Sequence, residues 1–197
     1  IGKIYTNLKS FKLAIKNLSQ LRLRHPNNIT VIESLAEAFY KTDNFDRSIT
    51  EYRYLLELNP KYLPAYIQLG WVHYRKEEFI MATAWTKRGL KLGIQSPQMV
   101  TLANMNLGLY AWLSGDHTSA KNWYRSALKE RSNATIKGIL NDISETALLF
   151  PKYIEANFFS GWVYMESGKK EKAITHLKRF LSLSPDGDLA NEAKSFI

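Results

Sequence analysis

The chain has 197 residues, of which 45% are apolar, and a formal net charge of +9. This length and apolar content exclude a disordered chain and favour one domain with a sizeable core. The absence of cysteine excludes disulfides, thiolate metal sites and a cysteine nucleophile. No apolar run approaches the ~18 residues that a membrane-spanning helix needs.

The first predicted element, within residues 1–28, is a basic helical segment without an acidic residue. Such a segment suits an acidic protein, a nucleic acid or an anionic lipid surface, or it is simply a solvated helix face. The sequence leaves both interpretations open. The basic residues are Lys3, Lys9, Lys12, Lys16, Arg22 and Arg24.

Small residues and prolines then recur at a fixed interval of 34 residues through the first half of the chain. Three sets share this interval: Gly2, Ala36 and Gly70; Ala14, Ser48 and Ala82; Pro26 and Pro60. An interval of this length predicts tandem supersecondary units.

Each unit is predicted to be a pair of helices joined by a short turn. In the clearest unit, helix A spans about 63–76, "RKEEF" forms the turn, and helix B spans about 79–92. Gly70 on helix A precedes Ala82 on helix B by twelve residues, and two later units repeat this offset. We expect the small residues to meet where the two helices cross, so that the axes can approach to the 8–10 Å of close packing.

The spacing of large and small residues on helix A identifies a family resemblance. Two copies align, Ile32, Leu35, Ala36 and Phe39 with Tyr66, Leu69, Gly70 and His73. This pattern resembles the tetratricopeptide repeat, a 34-residue helix-turn-helix unit. The resemblance implies an all-α fold, an alpha-alpha superhelix of antiparallel helix pairs, that serves as a non-enzymatic scaffold for protein–protein interaction. Thr86 departs from the pattern, which has a large residue at that position.

The interval between Gly108 and Gly161 is 53 residues instead of 34, which predicts one extra inserted helix. Its apolar residues follow helical spacing, from Ile136 to Leu148. One extra helix reverses the chain direction, so we expect it to pack crosswise, covering part of the binding groove, or to split the superhelix into blocks 1–132 and 151–197. The predicted layout is a single domain, 1–197, with repeats at about 1–28 (partial), 29–62, 63–100 and 101–134, the inserted helix at 135–150, a repeat at 151–187, and a further or capping helix beginning at 188–197.

A second stripe on each helix A lies about a quarter turn from the small residues. In tetratricopeptide arrays, as the resemblance implies, it lines the concave surface where ligands usually bind. This stripe is polar around 33–41 and becomes apolar and aromatic between 67 and 165. The alternative interpretation is that these rings pack internally, Leu109 and Trp112 first because the insertion follows their unit. The predicted partner-binding residues are Ile67, Trp71, Tyr74, Arg75, Met105, Leu109, Trp112, Phe158 and Trp162.

No catalytic or metal-binding pattern accompanies the repeats. The four histidines share no metal-ligand spacing, and neither a phosphate-binding glycine loop nor GxSxG occurs. The family's best-known ligand mode, a basic clamp for the C-terminal carboxylate of chaperone tails, is absent, because Glu33 and Glu37 stand on the inner stripe and would repel a carboxylate.

The sequence therefore predicts a non-enzymatic scaffold that binds a protein or peptide on an aromatic and apolar concave surface, without cofactor, metal or nucleic acid. End-to-end self-association through unfinished terminal helices is a further expectation. Two alternatives stay open. The chain is the recruiting segment of a larger enzyme or of a secretion or assembly machine, or its basic N-terminal repeat binds an anionic surface. The sequence does not decide between a cytoplasmic protein and a periplasmic or exported one.

Overall fold

A computed structural model describes residues 2–93, 96–130 and 132–197, with the side chains of residues 2–9 and 130 left out. Over these residues the chain forms eleven α-helices and no strand, as the predicted all-α class requires. The helices are α1 (Gly2–Arg24), α2 (Ile29–Lys41), α3 (Phe45–Leu58), α4 (Leu63–Arg75), α5 (Phe79–Lys91), α6 (Pro97–Leu113), α7 (His117–Ala127), α8 (Asn133–Leu149), α9 (Ala156–Glu166), α10 (Lys170–Leu183) and α11 (Asp188–Ser195).

The chain divides into two compact units where the sequence alone suggested one domain. Unit 1 ends at Ser96 and contains α1–α5, and unit 2 begins at Pro97 and contains α6–α11. The boundary between the units therefore lies between Ser96 and Pro97. One expectation placed a division at the insertion instead. The inserted helix α8 packs against α6 and against α9, so it links the helices on either side of it within unit 2.

Unit 1 is built from successive helices that pack on one another, α1 on α2, α2 on α3, α3 on α4 and α4 on α5. The Ser48 hydroxyl on α3 donates a hydrogen bond of 2.8 Å to the carbonyl of Ala36 on α2, twelve residues earlier. Small residues therefore meet where α2 and α3 cross. A continuous core lies between these helices, made by Ile32, Ala36, Tyr52, Leu55, Ala65, Leu69 and Val72.

The turn inside each helix pair requires a residue in the left-handed backbone region. Asp43 (φ 57°) and Glu77 (φ 58°) occupy this position in unit 1, and Gly115 (φ 84°) and Gly168 (φ 74°) occupy it in unit 2. Glycine adopts this conformation readily, whereas other L-residues do so at some cost in free energy. The same turn geometry therefore recurs in both units with different residues.

Unit 2 shows why its first helices carry glycine inside them. A Cβ added at Gly108 would lie 2.5 Å from Cδ1 of Tyr124 on α7, and one at Gly161 would lie 2.7 Å from Cγ of Leu177 on α10. These distances are too short for any side chain. The prediction that glycine allows paired helices to approach closely is confirmed at these two positions. The free energy gained by this packing outweighs the cost of glycine in a helix, which is about 1 kcal/mol relative to alanine.

Candidate protein-binding surfaces

Four of the predicted binding residues lie on α4 of unit 1, and two of them keep an exposed portion. Trp71 and Arg75, one turn apart, are half-buried. Ile67 and Tyr74 are buried, each with 3% of its surface exposed. The Tyr74 ring supports the Trp71 ring edge-on, with 5.1 Å between centroids. Trp71 is therefore held in one orientation by a neighbour on its own helix.

The accessible part of this stripe extends from α4 to α2. The Arg75 guanidinium donates a hydrogen bond of 2.8 Å to Asp43 Oδ1 and lies 5.7 Å from the centroid of the Tyr40 ring. Cation–π contact and ion pair together fix the guanidinium over the ring. We call Tyr40, Trp71 and Arg75 the aromatic patch.

Acidic and phenolic groups border the aromatic patch on α2. The Tyr62 hydroxyl donates a hydrogen bond of 2.9 Å to Glu33 Oε2. Burial, followed by the hydrogen bond to Glu33, raises the pKa of Tyr62 to about 12. Glu37, one turn beyond Glu33, is exposed. The rim of the patch along Glu33 and Glu37 is therefore negative, while Lys41 at the end of α2 places a cation 5.6 Å from the Tyr40 ring centroid.

The five predicted binding residues of unit 2 are all buried, with exposed fractions of 0–9%. The expectation of an open apolar surface at these positions is corrected accordingly, and their packing follows the alternative interpretation of the stripe. One physical reason is α8. A Cβ on Gly138 of α8 would lie 2.7 Å from the Met105 Cε atom on α6, so α8 covers this face of α6. The five residues are Met105, Leu109, Trp112, Phe158 and Trp162.

The large rings of these residues are packed by other rings and by one arginine. The Trp112 ring lies 5.2 Å from the ring of Phe159 on α9 and 6.4 Å from that of Tyr153 in the segment before α9. Arg125 of α7 lies 5.0 Å from the centroid of the Trp162 ring. The aromatic side chains of unit 2 therefore join its helices together.

The inserted helix also creates a surface that the sequence analysis missed. Between α8 on one side and α9 and α10 on the other runs a cleft with two adjoining parts, of about 410 Å³ and 310 Å³. Leu140 of α8 and Tyr164 of α9 line both parts. We call this the α8 cleft.

One wall of the α8 cleft is a basic stripe along α10 and the residue before it. Lys169 and Lys172 line the smaller part, and His176 and Arg179 line the larger. These positions are three or four residues apart, so they share one helix face. This basic stripe is visible in the sequence as a basic side chain at every third or fourth position from 169 to 179. The stripe escaped sequence analysis because His176 was considered there as a single histidine.

Two titrating groups lie on the helices that form the cleft. Burial, with a smaller contribution from Glu145, raises the pKa of Asp142 on α8 from 3.8 to about 7. Burial, then the charge of Arg179, lowers the pKa of His176. His176 is therefore neutral at neutral pH, and the charge of the basic stripe there comes from the lysines and the arginine.

Two features of the described residues bear on other functions. None of the helices found there is both long enough and apolar enough to span a bilayer. No cluster of three or more His, Asp or Glu side chains suited to a metal ion occurs in ranges 2–93, 96–130 and 132–197.

Comparison with known proteins finds repeat proteins that are similar to the chain. A tetratricopeptide repeat model matches residues 102–133 and 154–186, on either side of α8. The crystal structure of YrrB, described as a TPR protein with an unusual peptide-binding site, is 18% identical and covers 90% of this chain and 97% of its own, with a TM-score of 0.53.

Two further solved structures are similar to the chain over nearly its whole length. That of MamA is 20% identical, covers 100% of this chain and 98% of its own, and has a TM-score of 0.58. A tetratricopeptide repeat protein from Parabacteroides merdae is 15% identical, covers 99% of this chain and 80% of its own, and also has a TM-score of 0.58. No curated protein matches the chain. At these identities the likeness establishes the fold, and it confirms the predicted alpha-alpha superhelix class.

Proposed function

We propose that the chain, whose fold is that of tetratricopeptide-repeat proteins, is a protein–protein interaction scaffold that binds its partner without catalysis through the aromatic patch of unit 1. The observation that carries this proposal is the pairing of an accessible Trp71 with Arg75 one helical turn away. Tryptophan, tyrosine and arginine are the residues that contribute most at protein interfaces.

The aromatic patch is preorganised for binding. Tyr74 supports Trp71 edge-on, and Asp43 holds Arg75 by an ion pair. Side chains that are already fixed lose little conformational entropy when a partner covers them, so more of the burial free energy appears as affinity. Ile67 and Tyr74, buried beneath the patch, position it instead of contacting the partner.

The negative rim restricts the chemistry of the partner. Glu33 and Glu37 on α2 border the patch and disfavour a carboxylate there. The partner segment therefore presents an apolar or aromatic anchor to Trp71 and a basic side chain towards α2. The peptide-binding site named for YrrB is compatible with this role and supports it by analogy of fold alone.

The alternative of anionic-surface binding through the basic N-terminal segment stays open, because Lys12, Lys16 and Arg24 are exposed, although Arg22 is used within the fold. Arg22 on α1 donates a hydrogen bond of 3.0 Å to Glu51 on α3 and lies 4.3 Å from the centroid of the Tyr54 ring. This side chain is therefore used to hold α1 against α3. The side chains of Lys3 and Lys9 lie outside the described residues.

The proposal is tested by selecting peptides from a random library on the wild-type chain and measuring their affinity for two variants. Trp71→Glu is expected to weaken the selected peptides at least ~10-fold, because it removes the anchor and adds a third acid to the face. The matched control is Ile80→Glu on α5, where the side chain is 79% exposed. Peptides that bind wild type and Trp71→Glu equally, with both chains fully helical by circular dichroism, would refute a site at the patch.

A further inference from the structure

The α8 cleft of unit 2 is a second surface, separate from the aromatic patch, and its lining has an unusual division of chemistry. One wall is the basic stripe of Lys169, Lys172, His176 and Arg179. The opposite wall, on α8, is apolar and neutral polar apart from one further cation. Its residues are Asn133, Ile136, Lys137, Leu140, Asn141, Ile143, Ser144, Ala147 and Leu148.

The cleft contains positive charge without a compensating acid. Among the described residues, neither part of the cleft is lined by Asp or Glu. Lys169, Lys172 and Arg179 form no ion pair within the described part of the chain. Lys169 makes only a long contact of 3.4 Å with Asn133 Oδ1 across the cleft, and Lys172 lies 5.9 Å from the Tyr164 ring centroid. These cations are available to an external anionic group.

The apolar wall is continuous with exposed apolar surface at the end of α8. Leu148, which lines the larger part of the cleft, is 80% exposed, and Leu149 is 48% exposed. Solvent-facing leucines beside a concave surface are typical of an interaction site. The cleft therefore offers apolar burial along α8 and ionic contacts along α10.

We propose that the α8 cleft binds an acidic amphipathic segment of a partner protein, with apolar side chains against α8 and carboxylates against the basic stripe of α10. The lining of α8 extends from Asn133 to Leu148, which corresponds to roughly 23 Å at the helical rise of 1.5 Å per residue. This length accommodates about four turns of a helix or about seven residues of extended chain.

The composition of the cleft selects this occupant over two others. A nucleic acid would use the cations but would leave the accessible surface of Leu140 and Leu148 without an apolar partner, whereas an amphipathic peptide uses both walls. A second copy of this chain is disfavoured because each copy carries a formal charge of +9, so that like-charge repulsion opposes the contact. Charge complementarity therefore indicates an acidic partner segment.

Fluorescence polarisation with a defined probe tests the proposal. The probe is a labelled peptide of about 16 residues with leucine at i, i+3, i+4 and i+7 and glutamate elsewhere, long enough for the whole cleft. A scrambled peptide of the same composition and a single-stranded oligonucleotide are compared with it. We expect saturable binding of the amphipathic probe, at least ~10-fold weaker for the scrambled peptide, which cannot present one apolar face.

Charge reversals on one helix supply matched variants. Lys172→Glu with Arg179→Glu reverses two cations of the cleft, whereas Lys170→Glu with Lys178→Glu reverses two exposed cations of α10 that do not line it. The first pair is expected to weaken the probe at least ~10-fold and the second less than about twofold, since only the first places carboxylates against carboxylates. Leu148→Glu should also weaken the probe, because its side chain belongs to the apolar wall.

The outcomes separate clearly. If the two double variants lose affinity for the probe equally, the effect comes from net charge and the proposal is overturned. Equal affinity for the scrambled peptide, or no saturable binding of the probe, would also overturn it. An oligonucleotide that binds more tightly than the peptide and is lost with Lys172→Glu and Arg179→Glu would assign the cleft to nucleic acid instead. No variant here touches the aromatic patch, so failure at the cleft leaves the proposed function of unit 1 independently testable.

Discussion

The two units carry the same aromatic stripe on their first helices, yet they place it differently. In unit 1 the stripe leaves Trp71 and Arg75 half-exposed, whereas in unit 2 Trp112 and Trp162 are each only 1% exposed. The repeat pattern is the same, and what differs is the chain that follows. Unit 2 adds α8 against α6 and brings Tyr153 to the Trp112 ring. Exposure of a repeat surface is therefore decided by insertions as well as by the repeat itself.

The comparison also shows that covering one surface creates another. Unit 2 buries its stripe, but the helix that helps to cover it forms a wall of the α8 cleft. The aromatic patch of unit 1 has an acidic rim, and the cleft of unit 2 has a basic wall. On the two proposals made above, one chain would discriminate between a basic and an acidic partner segment.

Removing one tryptophan of the stripe from each unit should break the comparison most directly. Trp112→Ala is expected to lower the free energy of unfolding by about 4 kcal/mol, because it empties a buried ring site. Trp71→Ala is expected to cost less, about 2 kcal/mol, because part of the residue is already exposed to water. Thermal unfolding followed by circular dichroism measures both.

The measurement has a clear opposite outcome. If Trp71→Ala destabilises the chain as much as Trp112→Ala, the Trp71 ring is structural and the patch is not a preformed binding surface. If Trp112→Ala leaves the Tm unchanged, the ring is not packed between Tyr153 and Phe159.

Much of the fold followed from local patterns in the sequence. The twelve-residue offset between small residues predicts which residues meet. The Ser48–Ala36 hydrogen bond and the 3.1 Å between a Cβ added at Gly161 and the Ala173 carbonyl oxygen confirm this at two crossings, whereas Gly108 faces the Tyr124 ring. The inserted helix was predicted at 135–150 from apolar spacing and observed at Asn133–Leu149. These features depend on neighbours a short distance along the chain, which is why a repeat makes them predictable.

The site was less predictable because it depends on packing between distant segments. A stripe of large apolar residues has the same spacing whether solvent or another helix covers it, so Met105 and Trp162 could not be assigned from periodicity. The α8 cleft is defined by where α8 lies, and no spacing specifies that position. The basic stripe of α10 was visible in the sequence, but a run of cations is equally typical of a solvated helix face.

The inserted helix should also give the two units opposite responses to pH. In unit 2, the pKa of Asp142 is raised from 3.8 to about 7 by burial and Glu145. The folded chain therefore holds this proton more tightly than the unfolded chain, and the free energy of unfolding decreases as pH rises from about 4 to 7. In unit 1, hydrogen bonds from His73 and then Lys76 lower the pKa of Glu78, so stability from this group is present above pH 4.5 and is lost on acidification.

Asp142→Asn isolates the contribution of unit 2. The variant cannot ionise, so it should unfold with a free energy about 1–2 kcal/mol higher than wild type at pH 8 and nearly equal to it at pH 4. Hydrogen exchange read by mass spectrometry should localise the gain to peptides from α8 and α9. A gain of the same size at both pH values would show that ionisation of Asp142 is not its origin.

The smallest expected effect concerns a small residue that differs between two of the helix crossings. Unit 1 has Ser48 where unit 2 has Ala173, and both are fully buried. Ser48→Ala removes the hydrogen bond to Ala36, but the Ala36 carbonyl keeps its partner within α2, and alanine favours helix, so the change should lie within about 0.5 kcal/mol. Ala173→Ser should be similarly mild, within about 1 kcal/mol, because the new hydroxyl can reach the Gly161 carbonyl just as Ser48 reaches that of Ala36. Chemical denaturation of both variants measures these differences. A cost of about 3 kcal/mol for Ala173→Ser would mean that the new hydroxyl is buried without a hydrogen-bond partner. The crossing of α9 with α10 would then not be equivalent to that of α2 with α3.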